Sequence, residues 1–284
     1  AKAERLHEQI AALNAQMKEL KAIEVQLTEA PDKRISLTDP DARSMKTRGT
    51  GVVGYNVQTA VDAKHHLIVA HEVTNIGIDR DQLSSMASQA RTAMGVQDLT
   101  AIADRGYFKS EEILACHEAG VTVIVPKTVT SNATAEGRFG KADFIYDAQH
   151  NEYRCPAGQR LIWRFSRIEN GLNLHRYWSS HCPRCSIKEK CTPSDYRRVS
   201  RWEHEAVLES MQARLDHAPD SMRIRRQTVE HPFGTIKLWM GSAHFLTRTL
   251  ERVSTEMSLH VLAYNLKRVM KLLGPGALME AMRA

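Results

Sequence analysis

No run in this chain approaches the roughly eighteen consecutive apolar residues that a membrane helix requires. The N-terminal segment is charged throughout and lacks the apolar centre of a secretion signal. The expectation is therefore a cytoplasmic protein with no membrane partner. Cysteine is scarce and odd in number: Cys116, Cys155, Cys182, Cys185 and Cys191 are all there is. That count, with a Cys-x-x-Cys spacing and no secretion signal, argues against a disulfide framework. Internal repeats and low-complexity tracts are also missing, which excludes solenoids and disordered tails. Nor does the chain begin with Met, and it reads as part of a longer one.

What is present is ordinary in bulk and specific in detail. At 284 residues, 42% hydrophobic and 25% charged, the chain has enough apolar content for one large or two modest domains. A net charge of +6 draws it toward polyanions. Leu6, Ile10, Leu13, Met17, Leu20 and Leu27 alternate at three and four residues, so residues 3–29 read as an amphipathic helix or short coiled coil. Ala30-Pro31 stops that helix, and Asp39-Pro40-Asp41 marks a turn.

Residues 54–62 and 67–73 alternate at period two and form a hairpin around residues 62–65. Helices follow over 82–93 and 111–119, and short apolar strands over 99–103 and 121–125. Strand, helix, strand with short loops indicates an α/β domain with parallel pairing. From 127 to 202 the helical period weakens, cysteines gather, and aromatics interleave with Arg and His, as in a β-rich insertion. Helix pattern returns after residue 203, and residues 254–273 form a strongly amphipathic helix ended by Gly274-Pro275.

The densest chemistry lies in residues 226–237, R-Q-T-V-E-H-P-F-G-T-I-K. On a helix, Arg226 and Glu230 share a face, and Lys237 lies about two turns beyond Glu230. Arg223 and Arg225 extend the basic run upstream. A carboxylate among cations suits a site that holds a divalent metal and a phosphate chain together. An exposed helix with ordinary ion pairs is the plainer account of the same run. Asp104 closes the apolar strand L-T-A-I-A-D beside a glycine turn, where α/β sheets present functional groups. An Asp that merely caps the next turn would look the same in sequence. If Asp104 and Glu230 converged, they would supply carboxylates for a two-metal phosphoryl-transfer centre.

The blocks G-Y-N-V-Q-T-A-V-D (54–62), A-D-R-G-Y-F (103–108), V-E-H-P-F-G-T-I-K (229–237) and A-Y-N-L-K-R (263–268) resemble, in that order, bacterial insertion-sequence transposases of the DDE class. The resemblance runs from about residue 38 to 273. It implies an α/β fold with an RNase H-like mixed sheet flanked by helices. The catalytic core would occupy 38–126 and 203–273, the β-rich cysteine-containing insertion 127–202, and a linker or coiled-coil helix 1–30. It implies Asp104 and Glu230 as the second and third acidic residues, binding Mg²⁺ or Mn²⁺. Arg226 and Lys237, with Arg223 and Arg225 beside them, would contact DNA. The partners implied are double-stranded DNA, as transposon ends and target, and a second copy in a DNA-bound homodimer associated with the nucleoid. Two departures stand out. The family carries Tyr where this chain has Arg223, and no D-G-T or D-S-T motif for the first acidic residue occurs. Asp39 and Asp41 match a block just before the hairpin, and Asp62 sits at its turn; Asp62 is a candidate substitute ligand. A catalytically dead DNA-binding remnant is therefore the alternative to an active transposase.

Cys155, Cys182, Cys185 and Cys191 supply four thiolates whose spacing is compatible with tetrahedral zinc, with His175 and His181 as substitutes. Reduced cysteines packed in the insertion would give the same pattern. Arg160, Trp163, Arg164, Arg167, Arg176 and Trp178 could grip DNA by phosphate contact and stacking, or form a small apolar face with a solvated rim. His65, His66 and His71 fit a surface turn better than a metal cluster.

Overall fold

The computed structural model describes residues 2–30, 33–47, 50–128 and 132–283. It divides into two compact units, Ala1–Leu99 with Met222–Ala284, and Thr100–Ser221. The first unit opens with α1 (Lys2–Glu29), the expected long helix. Its apolar stripe is uncovered, with Leu6, Leu13 and Leu20 exposed by 58%, 59% and 63%. Next come β1 (Arg43–Thr47) and β2 (Thr50–Gly54), an antiparallel hairpin where the sequence pattern gave no strand. Neither strand alternates apolar with polar residues, so period-two reading passes over them.

The expected hairpin is present as β3 (Asn56–Val61) and β4 (Ile68–Thr74). Its turn is fixed by Asp62, whose carboxylate accepts the N–H groups of Lys64 (3.1 Å) and His65 (2.7 Å). A register shift between Ala60 and Val61 marks a bulge. It leaves Ile68 and Val73 in one apolar cluster and Ala70 in another, although strict alternation would separate Ile68 from Val73. The Ala70 cluster is completed by Met86 and Ala90 of α2 (Leu83–Met94). That helix stops at Gly95, whose φ of +62° is the left-handed cap glycine favours.

β5 (Leu99–Ile102) starts at the last residue of the first unit's opening stretch and runs into the second unit, which contains α3 (Ser110–Glu118) and β6 (Val121–Ile124), with β5 and β6 paired. Cys116 is buried in α3, and burial with Glu112 nearby pushes its thiol up to about 11. Beyond them lies a five-stranded sheet in the order β11-β10-β9-β8-β7. Its strands are β7 (Ile145–Asp147), β8 (Glu152–Arg154), β9 (Arg160–Glu169), β10 (Leu172–Trp178) and β11 (Val199–Trp202). Every pair is antiparallel; short connections allow this for β7 to β10, while residues 179–198 link β10 to β11. The sheet buries Phe144, Tyr153, Leu161, Tyr177 and Val199 on one face. Tyr153 and Tyr177 meet edge to face at 5.2 Å, a geometry the ring quadrupoles favour. Then α4 (Glu205–His217) begins at buried Glu205, whose carboxylate takes Lys141 Nζ (2.6 Å) and the Trp202 N–H (3.1 Å).

The chain returns to the first unit with α5 (Ser221–Gly234), a π-helical turn at Thr235–Trp239, and α6 (Leu250–Ala281). Pro232 lacks an N–H and so removes one rung from α5. Just beyond it the ladder widens, with the Met240 N–H reaching Thr235 C=O at 3.0 Å. Val253, Met257, Val261 and Tyr264 of α6 pack with Ile236 against Ile68 and Val73 of the hairpin. Each such side chain contributes about 1.5–3 kcal/mol on burial. At Gly274 the backbone leaves the helix (φ 81°, ψ 157°), as the Gly-Pro pair suggested, but helix resumes at Pro275 rather than ending.

Candidate functional site

The charged run of residues 223–237 lies on α5 and the π-turn that follows. Arg223, Arg226 and Glu230 follow the i, i+3, i+7 spacing of one helical face and are all exposed. Arg225 falls off that face and is half-buried, unlike its expected grouping with the exposed cations. Lys237 is exposed in the π-turn, its ammonium 5.7 Å from the Phe233 ring centroid. The opposite side of α5 is anchored by buried Ser221, Thr228 and Pro232. A hydrophilic carboxylate is thus presented outward among cations by a helix whose inner face is fixed.

Behind Glu230 the hairpin turn is held by three residues of the A-Y-N-L-K-R block on α6. Tyr264 Oη donates to the His66 carbonyl at 2.6 Å. Asn265 accepts from the Ile68 N–H at 3.0 Å and donates to the Ile68 carbonyl at 2.8 Å. Arg268 Nε donates to the His65 carbonyl at 2.7 Å. His231, the residue after Glu230, places Nδ1 2.9 Å from Tyr264 Oη. Burial, then the positive charges of Arg268, His66 and Lys271, hold its pKa below the usual imidazole range. The sequence reading did not single out His231. The signal was split between two blocks more than thirty residues apart, and only the fold joins them. His65 and His66 sit at the hairpin turn as expected, whereas His71 lies within β4 and bonds Ser258 on α6 (3.0 Å).

The remaining acidic residues have local duties. Asp104 follows β5, and its carboxylate accepts the Gly106 N–H (2.8 Å) at the start of a short 3-10 turn. It belongs to the second unit and Glu230 to the first. Asp39 is 8% exposed and accepts from Tyr55 Oη (2.7 Å) and the Thr249 N–H (3.2 Å). Burial works to raise its pKa, but the Tyr55 hydroxyl and the backbone donors prevail and lower it. Asp41 accepts the Leu250 N–H at 2.8 Å, so the T-D-P-D-A block caps the start of α6. Asp62 is committed to its own turn. Among the described residues, no group of three or more His, Cys, Asp or Glu side chains stands ready to hold a metal ion.

The insertion's cations also have internal partners. Arg160 pairs with Glu152 (2.6 Å) and Arg176 with Glu169 (2.6 Å). Arg164 donates to Ser180 (2.9 Å) and lies 5.3 Å from the Trp178 ring. Of the six residues read as a DNA grip, these three cations have partners within the insertion, and Arg160, Trp163 and Arg167 are exposed. Cys155, Cys182, Cys185 and Cys191 are unpaired thiols and line one cavity together with His181 and Phe144. Each sits at a tight turn: Gly158 N–H bonds Cys155 C=O (2.8 Å), Cys185 N–H bonds Cys182 C=O (3.2 Å), and Cys191 N–H bonds Lys188 C=O (2.9 Å). His175 instead bonds Ser166 (2.6 Å) on the neighbouring strand.

The family model described as "Transposase DDE domain" matches residues 21–266, and the chain belongs to that family. No curated protein and no solved structure matches it. In general terms, then, this is a DDE-type transposase domain with a mixed α/β fold, and DNA is the partner its family implies. Among the described residues, no helix is long and apolar enough to cross a membrane.

Proposed function

We propose that this chain is the catalytic region of a bacterial insertion-sequence transposase. It cleaves DNA strands at the element's ends and joins the freed 3′-hydroxyl to target DNA. The observation that carries this reading is the outward face of α5, where exposed Glu230 stands among exposed Arg223 and Arg226, with Lys237 beyond. Guanidinium and ammonium groups neutralise strand phosphates, while a carboxylate cannot and is suited to a hard divalent cation. Asp104 and Glu230 would hold Mg²⁺ or Mn²⁺ in an RNase H-like core. The cation, when bound, polarises phosphate oxygens and activates the attacking hydroxyl. The uncovered leucine stripe of α1 supports a homodimer on DNA.

The test is Mg²⁺-dependent cleavage of a duplex carrying the element's end. Glu230→Gln and Asp104→Asn should each abolish cleavage while gel-shift affinity persists. Full cleavage by either variant would remove that residue from the catalytic set. A second reading, DNA binding without cleavage, is favoured by one observation: Asp39, Asp41 and Asp62 are all committed to caps and turns. Tight end binding by the wild-type chain with no cleavage in Mg²⁺ or Mn²⁺ would select it.

The four thiols line one cavity but are not gathered into a ready metal site; we propose that Zn²⁺, when bound, would draw Cys155, Cys182, Cys185 and Cys191 together as its ligands. Such a centre closes with four soft ligands and stabilises a segment with a small core. Protein purified without chelator should carry about one zinc per chain and lose thermal stability in EDTA. Zinc-free protein of unchanged stability would leave these residues as packed thiols.

A further inference from the structure

Leu238 and Trp239, directly after Lys237, are each 82% exposed, and Leu246 is 84% exposed. Among the described residues these are the most exposed large apolar side chains. The segment that carries them is nonetheless tied down. Its Ile236 is buried in the cluster with Val253, Met257 and Tyr264, and Met240 and Phe245 pack against that cluster. Phe245 meets Tyr55 edge to face at 6.5 Å. The π-turn is closed by the Met240 N–H on the Thr235 carbonyl (3.0 Å) and the Ser242 N–H on the Ile236 carbonyl (3.1 Å). The loop beyond it is pinned by Glu256, which accepts the N–H groups of Leu246 and Thr247 (2.9 Å each) and the Thr247 hydroxyl (2.6 Å). A segment that buries one set of apolar residues and holds a second set in water is preorganised for a partner. Its charge says which kind. Residues 231–250 contain no Asp or Glu, and Lys237 and Arg248 are exposed.

We propose that Leu238 and Trp239 form a wedge that enters a base step of duplex DNA while Lys237 neutralises a phosphate beside it. The proposal deepens the strand-transfer reading, on which it rests for its choice of DNA. Cations with no acid among them favour a polyanion over a protein partner of mixed charge. The outside of a duplex is phosphate and sugar, and its extended apolar surface lies on the stacked base faces. An apolar side chain reaches those faces by parting a step, as the wedges of architectural proteins do. The indole then stacks on a base without reading which base it is. This contact needs no metal, so it opens the duplex whether or not the carboxylates act.

Fluorescence anisotropy without divalent metal tests the wedge apart from cleavage. The probes are a labelled mixed-sequence duplex and the same duplex carrying a tandem mismatch. The wild-type chain should bind the mismatched duplex about tenfold or more tightly, because its step is already partly unstacked. Trp239→Ala should weaken binding to the mismatched duplex by about 5–150-fold, the size of one base–aromatic stack, and shrink the preference. Trp239→Phe should keep most of it, and Lys237→Ala should weaken both duplexes alike. Equal wild-type affinity for the two duplexes overturns the proposal, as does a preference that survives Trp239→Ala. The preference is a ratio within one variant, so a fraction of unfolded chain lowers both affinities and leaves it unmoved. Self-association, or capture on phosphatidylglycerol vesicles, that Trp239→Ala abolishes with the DNA preference intact gives the patch to a second copy or a membrane surface and also overturns the wedge. A chain that shows the preference but never cleaves in Mg²⁺ removes the strand-transfer reading and keeps the wedge; cleavage without the preference does the reverse.

Discussion

Asn265 gives the sharpest test of how the candidate site is supported. Its amide spans both polar groups of Ile68, at 3.0 Å to the N–H and 2.8 Å to the carbonyl, and Ile68 is 4% exposed. Water therefore cannot easily replace the amide once it is removed. Two hydrogen bonds are worth about 0.5–1.5 kcal/mol each, and leaving buried partners unsatisfied adds to the loss. For Asn265→Ala this amounts to about 2–4 kcal/mol. A unit of this size should then melt several degrees lower, at about 2–4 °C per kcal/mol. Urea titration followed by circular dichroism measures the global loss, and hydrogen exchange at the Ile68 amide locates it. Asn265→Asp sharpens the argument. The ionised carboxylate can still accept from the Ile68 N–H but meets the Ile68 carbonyl with a second acceptor. Protonation restores a donor, so the deficit of this variant should shrink as pH falls from 7 toward 4. An Ala variant within 0.5 kcal/mol of wild type, or an Asp variant insensitive to pH, would refute the reasoning.

Other consequences follow from the same physics. Burial works to raise the Glu205 pKa, but Lys141, the Trp202 N–H and Lys127 outweigh it, and the value is lowered from the ordinary 4.5. A depressed carboxylate stabilises the fold above its unfolded pKa, so this contribution should be present at pH 7 and vanish as pH falls below about 4.5 through the folded value. Glu205→Gln should cost about 2–3 kcal/mol at pH 7, less than a fully buried pair because Lys141 is partly exposed, and nothing near pH 2; denaturation curves at both pH values check it. Gly274 adopts a φ, ψ pair open almost only to glycine, and nothing lies within 4 Å of an added Cβ. Gly274→Ala should therefore cost about 1–3 kcal/mol through strain alone, seen as faster proteolysis after residue 274 with the core transition unmoved. Asp39→Ala removes the acceptor for Tyr55 Oη and for the Thr249 N–H at the start of α6 and should cost about 1–2 kcal/mol, read as lost exchange protection at Thr249.

Much of the frame was legible before the fold was known, because it depends on short periods. Period-two alternation gave the hairpin at 54–73, and the three-four alternation gave the helix at 3–29. The i, i+4 spacing of Arg226 and Glu230 already put those two on one helical face, and the structure adds Arg223 to it. The hairpin at 43–54 escaped because its residues do not alternate. Motif residues were harder to interpret. Asn56 and Gln58 lie in the block that resembles transposases, yet both donate to Asp79 at 2.7 Å and serve the frame rather than the chemistry.

By itself, the sequence determined which residue types stand on the outward face of α5 and that four cysteines gather in one segment. Tertiary structure decided what each polar group does. Asp39 became a cap because Thr249, 210 positions away, supplies the N–H it accepts. Asn265 became a clamp because Ile68, 197 positions away, meets it. His231 became the donor to Tyr264 because the one phenolic hydrogen on α6 was already committed to the hairpin turn. Backbone periodicity is local and can be read along the chain, whereas a side chain's hydrogen-bond partner is set by packing between segments far apart in sequence.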